Sequence, residues 1–81
     1  MLSILVLGPG CYNCHKLEAL CKEVVEEQGI EAAIAPITDL NQIHALGVMM
    51  TPGLVINGKV VSSGRIPAKA TLEQWILEAA Q

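Results

Sequence analysis

The sequence predicts an α/β fold with the order β-α-β-α-β-β-α: a four-stranded mixed sheet carrying three helices. Three observations predict it. The apolar run Leu2 to Leu7 ends at Gly8-Pro9-Gly10, and apolar residues then fall at helical spacing from Cys14. Asn57-Gly58 separates Leu54-Val55-Ile56 from Lys59-Val60-Val61, and a type I′ hairpin turn needs two residues that accept positive φ. Helical patterns lie between the early strands, which implies parallel pairing by right-handed crossover, while the hairpin adds an antiparallel strand at one edge.

Leu2 to Leu7 reads as a buried strand. In the first helix Leu17, Leu20, Cys21, Val24 and Val25 form an inward stripe, and Lys16, Glu18, Lys22, Glu23, Glu26 and Glu27 are mostly on the other side. Gly29 stops that helix as a left-handed C′ residue. Glu31 to Ile37 is a second strand, weakened by its alanines. Thr38 or Asp39 caps a short second helix, and Asp39 with Gln42 resembles a capping box. Leu40, Ile43 and Leu46 give that helix an apolar face, and Gly47 ends it. Thr71 with Gln74 forms a second capping box, opening a last helix whose inward stripe is Leu72, Trp75, Ile76 and Ala79.

The 81 residues make one domain spanning residues 1–81, and hydrophobic residues at 52% against 16% charged are enough for a core and argue against disorder. A net charge of −3, one Tyr, one Trp and no Phe leave neither a basic face nor a stacking platform, so nucleic acid is not an expected partner. No apolar stretch approaches the ~20 residues needed to span a bilayer, so no membrane association is expected. Met1 runs directly into a strand without a basic n-region, so a cytoplasmic location is expected. Three cysteines cannot complete a disulfide framework, and in a reducing compartment a close pair means redox chemistry or metal.

The chemistry centres on Cys11-Tyr12-Asn13-Cys14, at the strand-to-helix turn. Cys11 is placed just before the helix and Cys14 in its first turn. Unpaired N–H groups and the helix dipole favour an anion there, so a thiolate at Cys11 is stabilised. Cys11 attacks a substrate disulfide, and Cys14, one turn along, attacks Cys11 and releases the reduced substrate. No dissociable cofactor is required, because the electrons reside in the two thiols.

Thr51-Pro52 precedes the Leu54-Val55-Ile56 strand, where a proline removes a ladder donor. This layout resembles the thioredoxin fold. In particular, Ile4-Leu5-Val6-Leu7-Gly8, Cys11 to Cys14, Gly47-Val48, Thr51 to Gly58 and Gly64-Arg65-Ile66-Pro67 are similar, in that order, to the small glutaredoxin-like thioredoxins of bacteria and archaea. The resemblance implies that Pro52 is a cis-proline packed against the cysteine pair and that the Thr51 backbone docks extended substrate by strand addition. It also implies a disulfide-containing protein substrate and a thioredoxin-reductase-like electron donor upstream.

The departures are specific. Tyr12-Asn13 is neither the Gly-Pro of typical thioredoxins nor the Pro-Tyr of many glutaredoxins, and no Trp precedes Cys11. The first strand has no acid where typical thioredoxins bury an aspartate. Ser62-Ser63-Gly64 is followed by Arg65, without the Asp with which glutaredoxins hold glutathione, so glutathione is not carried over as a partner.

The rival reading is a metal module. Copper-chaperone domains also place Cys-x-x-Cys after a first strand, but they end on a strand, and a structural zinc site wants four ligands where one pair supplies two. Cys11 to His15 also matches the c-type haem attachment string, which requires export. Tyr12 either contacts substrate or covers the disulfide. Cys21 is expected to be a small buried hydrophobe, His15 a solvent-exposed residue, and Met49-Met50 ordinary packing beside the site. His44 has no assigned role.

Overall fold

A computed structural model describes residues 1–81. Its elements are β1 (Leu2–Leu7), α1 (Tyr12–Gln28), β2 (Ala32–Ile37), α2 (Leu40–Ala45), β3 (Gly53–Ile56), β4 (Lys59–Ser63) and α3 (Lys69–Ala79), in the predicted order. The four strands form one mixed sheet in the spatial order β2-β1-β3-β4. β1 pairs parallel with β2 and antiparallel with β3, and β3 pairs antiparallel with β4. Pro36 lies in β2, an edge strand, where a missing N–H costs the ladder nothing on the outer side.

The central strands are buried on both faces, which is why β1 reads as a nearly continuous apolar run. Leu2, Ile4 and Val6 point to one face with Leu54 and Ile56 of β3, and pack against Leu17, Cys21, Val24 and Val25 of α1 and Leu72 and Ile76 of α3. On the other face Leu7 and Val55 meet Ile43 of α2 and Val48. The larger cluster therefore fixes α1 and α3 side by side, and α2 is attached through a smaller one.

The turn chemistry matches the residues. Asn57 and Gly58 both have positive φ, 50° and 82°, as a type I′ hairpin requires. The Asn57 side chain also accepts from the Ser3 N–H at 2.9 Å, joining the hairpin to the start of β1. Gly29 takes φ 65°, its N–H bonds to the Glu26 carbonyl, and the next N–H, of Ile30, reaches Val25, so two of the last carbonyls of α1 are satisfied.

Two sequence expectations need correction. The last helix starts at Lys69, with Ala68 as its N-cap and no side-chain capping bond, so Thr71 and Gln74 lie within the helix and form no capping box. The first residue of the helix also makes a long-range contact at the surface. Lys69 Nζ lies 2.9 Å from Glu27 and 3.0 Å from Glu23 on α1, and these carboxylates raise the Lys69 pKa above its usual range, chiefly through the hydrogen bond to Glu27. A lysine in a first helical turn opposes the helix dipole, and here the two carboxylates offset that opposition. Second, Leu40 and Leu46 of the predicted apolar face are exposed, and only Ile43 is buried, because α2 has just six residues and meets the sheet through one of them.

Cys21 is fully buried on the α1 stripe, and burial, followed by the charge of Glu18, pushes its thiol up from 9.0 to about 12. The unfolded chain therefore loses this proton at lower pH than the folded chain, so the stability it contributes is complete below pH 9.0 and is lost as pH rises toward about 12. In a Cys11→Ser/Cys14→Ser background, which prevents thiol exchange, urea denaturation at about pH 8 and about pH 10.5 is expected to show this loss, and Cys21→Ala is expected to reduce it. Core packing gives a separate expectation for denaturation midpoints. Ile76→Ala is expected to cost about 2–5 kcal/mol, whereas Leu40→Ala on the exposed face is expected to stay within about 0.5 kcal/mol.

Candidate active site

The site is built where β1 hands over to α1. Gly10 takes φ 94° in the turn, and Cys11 follows in extended conformation as the N-cap of a 17-residue helix. The first N–H groups of any helix lack intrahelical acceptors. Here the Cys11 Sγ accepts from the Cys14 N–H at 3.3 Å, and the Cys11 carbonyl accepts from the His15 N–H at 3.1 Å. The sulfur thus occupies the place that a serine or aspartate oxygen takes in an ordinary N-cap, at the positive end of the helix dipole.

Cys11 and Cys14 form a disulfide with Cα atoms 5.1 Å apart. The two sulfurs have different surroundings, since Cys11 is exposed and Cys14 only 5% exposed. Gly8 explains how the second sulfur fits. A Cβ at position 8 would overlap the Cys14 Sγ and would stand 3.7 Å from the Thr51 Cβ. The end of β1, the start of α1 and Thr51 therefore meet at a residue with no side chain.

The Thr51–Pro52 peptide is cis, as the resemblance implies. Pro52 is buried and Thr51 half-buried. The Pro52 carbonyl accepts from the Gly64 N–H at 2.9 Å, while Thr51 makes no backbone hydrogen bond within the chain. Around this point lies an apolar rim. Tyr12 is 77% exposed, with Lys16 Nζ 5.9 Å from its ring centroid, so the ring does not cover the disulfide as a buried lid. Met49 and Met50 are exposed, and Met50 passes over Gly64, where a Cβ would lie 3.0 Å from the Met50 Cβ.

A small cleft of about 100 Å³ opens beside Cys14, lined by His15 and Glu18 and by Gly8 and Thr38. Sequence reading placed Glu18 on the polar side of α1. Its position four residues after Cys14 was the available signal, because such residues are neighbours on one helix face. His15 is exposed, as expected from the sequence, though it borders the same cleft. His44 is exposed on α2, and Cys21 lies buried in the core. The larger clefts, such as that of about 480 Å³ between Met1, Ile30, Asn57 and Ala79, are lined by neither cysteine.

No group of three or more His, Cys, Asp or Glu side chains is arranged to hold a metal ion. No helix is long and apolar enough to cross a membrane. What the pair at the helix start can do is store two electrons as thiols and release them by forming the disulfide.

A family model described as the thioredoxin domain matches residues 2–77. The chain is 35% identical over 74 residues to a thioredoxin of Methanothermobacter thermautotrophicus, covering 91% of this chain and 96% of that one. It is 36% identical over 74 residues to a thioredoxin of Methanocaldococcus jannaschii, covering 91% and 85% respectively. The solution structure of oxidised thioredoxin from Plasmodium falciparum superposes with a TM-score of 0.66 over 99% of this chain and 82% of that one, at 15% identity, which supports the shared fold. Sheet order, helix-start disulfide and family match agree, and the chain belongs to the thioredoxin family as a dithiol–disulfide oxidoreductase.

Proposed function

We propose that the protein is a cytoplasmic reductant of protein disulfides, with Cys11 as nucleophile and Cys14 as resolving thiol. The observation that carries this reading is the asymmetry of the pair: an exposed sulfur that accepts a helix N–H, bonded to a buried one. In the reduced protein the Cys11 thiolate attacks one sulfur of a substrate disulfide. A Cys11–substrate bond forms, the substrate S–S bond breaks, and the other substrate sulfur leaves with the electron pair and takes a proton. Cys14 then attacks Cys11 Sγ, closing the internal disulfide and releasing the second substrate thiol. The substrate gains two electrons and the protein loses them, so an upstream dithiol reductase must return them, and no dissociable cofactor enters the cycle.

Substrate docking follows from the free groups at the rim. Thr51 has an N–H and a C=O without backbone partners, which supports pairing with an extended substrate segment by strand addition. Pro52, buried next to it in the chain, shapes that edge, and the exposed Tyr12, next to Cys11, offers an apolar contact. Glutathione is not assigned as substrate, because Arg65 follows Gly64 where an acid would be needed to hold it.

Reduction of a disulfide-bonded protein such as insulin tests the roles. Cys11→Ser is expected to lose turnover to background, and Cys14→Ser to stop after one attack with substrate linked to Cys11, seen by mass spectrometry. Undiminished turnover of Cys11→Ser would overturn the mechanism. Equilibration in a glutathione redox buffer tests the direction: a reductant is expected near the thioredoxin value of about −270 mV, and a potential near about −120 mV would make the protein an oxidant instead.

A further inference from the structure

We propose that Glu18 accepts the proton of Cys14 as that thiol closes the disulfide. The inference rests on the assignment of Cys14 as resolving thiol and adds a general base to it. Cys14 is 5% exposed, and burial disfavours the charged thiolate that must act as nucleophile. A resolving thiol so placed is slow unless a neighbour takes its proton during attack.

The groups that face Cys14 can be named from each element around it. Val6 of β1, Gly8 and Gly10 of the turn after it, Pro36 of β2 and Thr38 beyond it line the cleft and carry no titratable group. On α1 the cleft is bordered by His15 and Glu18, with Cys21 one further turn along in the core. Cys11 is the bonded partner. His15 is exposed and adjacent in sequence, so it leaves the helix in a different direction from Cys14. Glu18 sits one turn beyond Cys14 on the same face, and its side chain is only 20% exposed. Its charge acts on the interior, since it contributes to raising the Cys21 thiol, while Lys22 Nζ stands 3.7 Å from its Oε2 on the solvent side. Cys14 and Glu18 line the same cleft of about 100 Å³, which puts the thiol and the carboxylate on one small, largely apolar space.

The step balances. The Cys14 proton passes to the Glu18 carboxylate, and the electron pair left on Cys14 Sγ forms the bond to Cys11 Sγ. The Cys11–substrate S–S bond breaks, the pair leaves on the substrate sulfur, and that sulfur takes a proton from solvent or from the Glu18 carboxyl. One thiol is consumed and one is released.

Stopped-flow reaction of the reduced protein with the chromogenic aryl disulfide dithionitrobenzoate separates the two steps, because Cys11 attack releases one thionitrobenzoate and Cys14 closure a second. Cys14→Ser isolates the first release. Glu18→Gln is expected to slow the second release about tenfold or more at neutral pH. The deficit is expected to shrink as pH rises, since hydroxide then ionises the thiol without help, and Glu18→Asp is expected to recover part of the rate. A second release with the wild-type rate and pH profile in Glu18→Gln would overturn the proposal. So would a pH-independent loss in both releases, which marks a structural effect, or a pH-dependent loss that appears in His15→Gln and not in Glu18→Gln. If Cys14→Ser still gives two releases, the resolving assignment itself falls, and this inference with it.

Discussion

The N–H of Cys14 directed at the Cys11 sulfur is the interaction on which the site depends. A helix must find acceptors for its first N–H groups, and this one finds a sulfur. One contact therefore sets the start of α1, the orientation of Cys11 and the electrostatic preference for a thiolate there. It holds because the rest of α1 cannot rotate: Leu17, Cys21 and Val24 are fully buried against β1, β3 and α3. The core is thus the reason that the sulfur stays at the end of the dipole.

Asymmetry between the two sulfurs follows from the same placement. A helix entering at this angle puts the residue before its first turn in solvent and the residue three later against the sheet. Gly8 makes the second position possible, because any side chain there would occupy the space of the Cys14 sulfur. Thr51 borders the same glycine, so the segment with free backbone groups is brought beside the pair by packing. Exposure of Cys11, burial of Cys14 and the unpaired Thr51 backbone are then three consequences of how β1, α1 and the turn into β3 converge.

Much of this was legible in the sequence where a local pattern carries the information. Leu2 to Leu7, the Leu17–Val25 stripe and Asn57-Gly58 each encode their element within a short window, and strand–turn–helix context located Cys11 and Cys14. What escaped depends on distant partners. α3 starts at Lys69, which reaches Glu23 and Glu27 on another helix, and not at the local signal of Thr71 and Gln74. The exposure of Leu40 and Leu46 reflects how little of α2 the sheet can cover, which no helical period reveals. Glu18 reads as a surface acid from its place in the helical pattern, and its border on the cleft beside Cys14 depends on how β1, β2 and α1 converge, which no local pattern carries.

The central claim is that one fold geometry makes the three thiols chemically unequal. Site-resolved alkylation of the reduced, folded protein with iodoacetamide at neutral pH, read by mass spectrometry, tests it most directly. The account predicts that Cys11 is labelled first, Cys14 much more slowly, and Cys21 only after unfolding. Labelling of Cys14 as fast as Cys11, or of Cys21 in the folded chain, would contradict it.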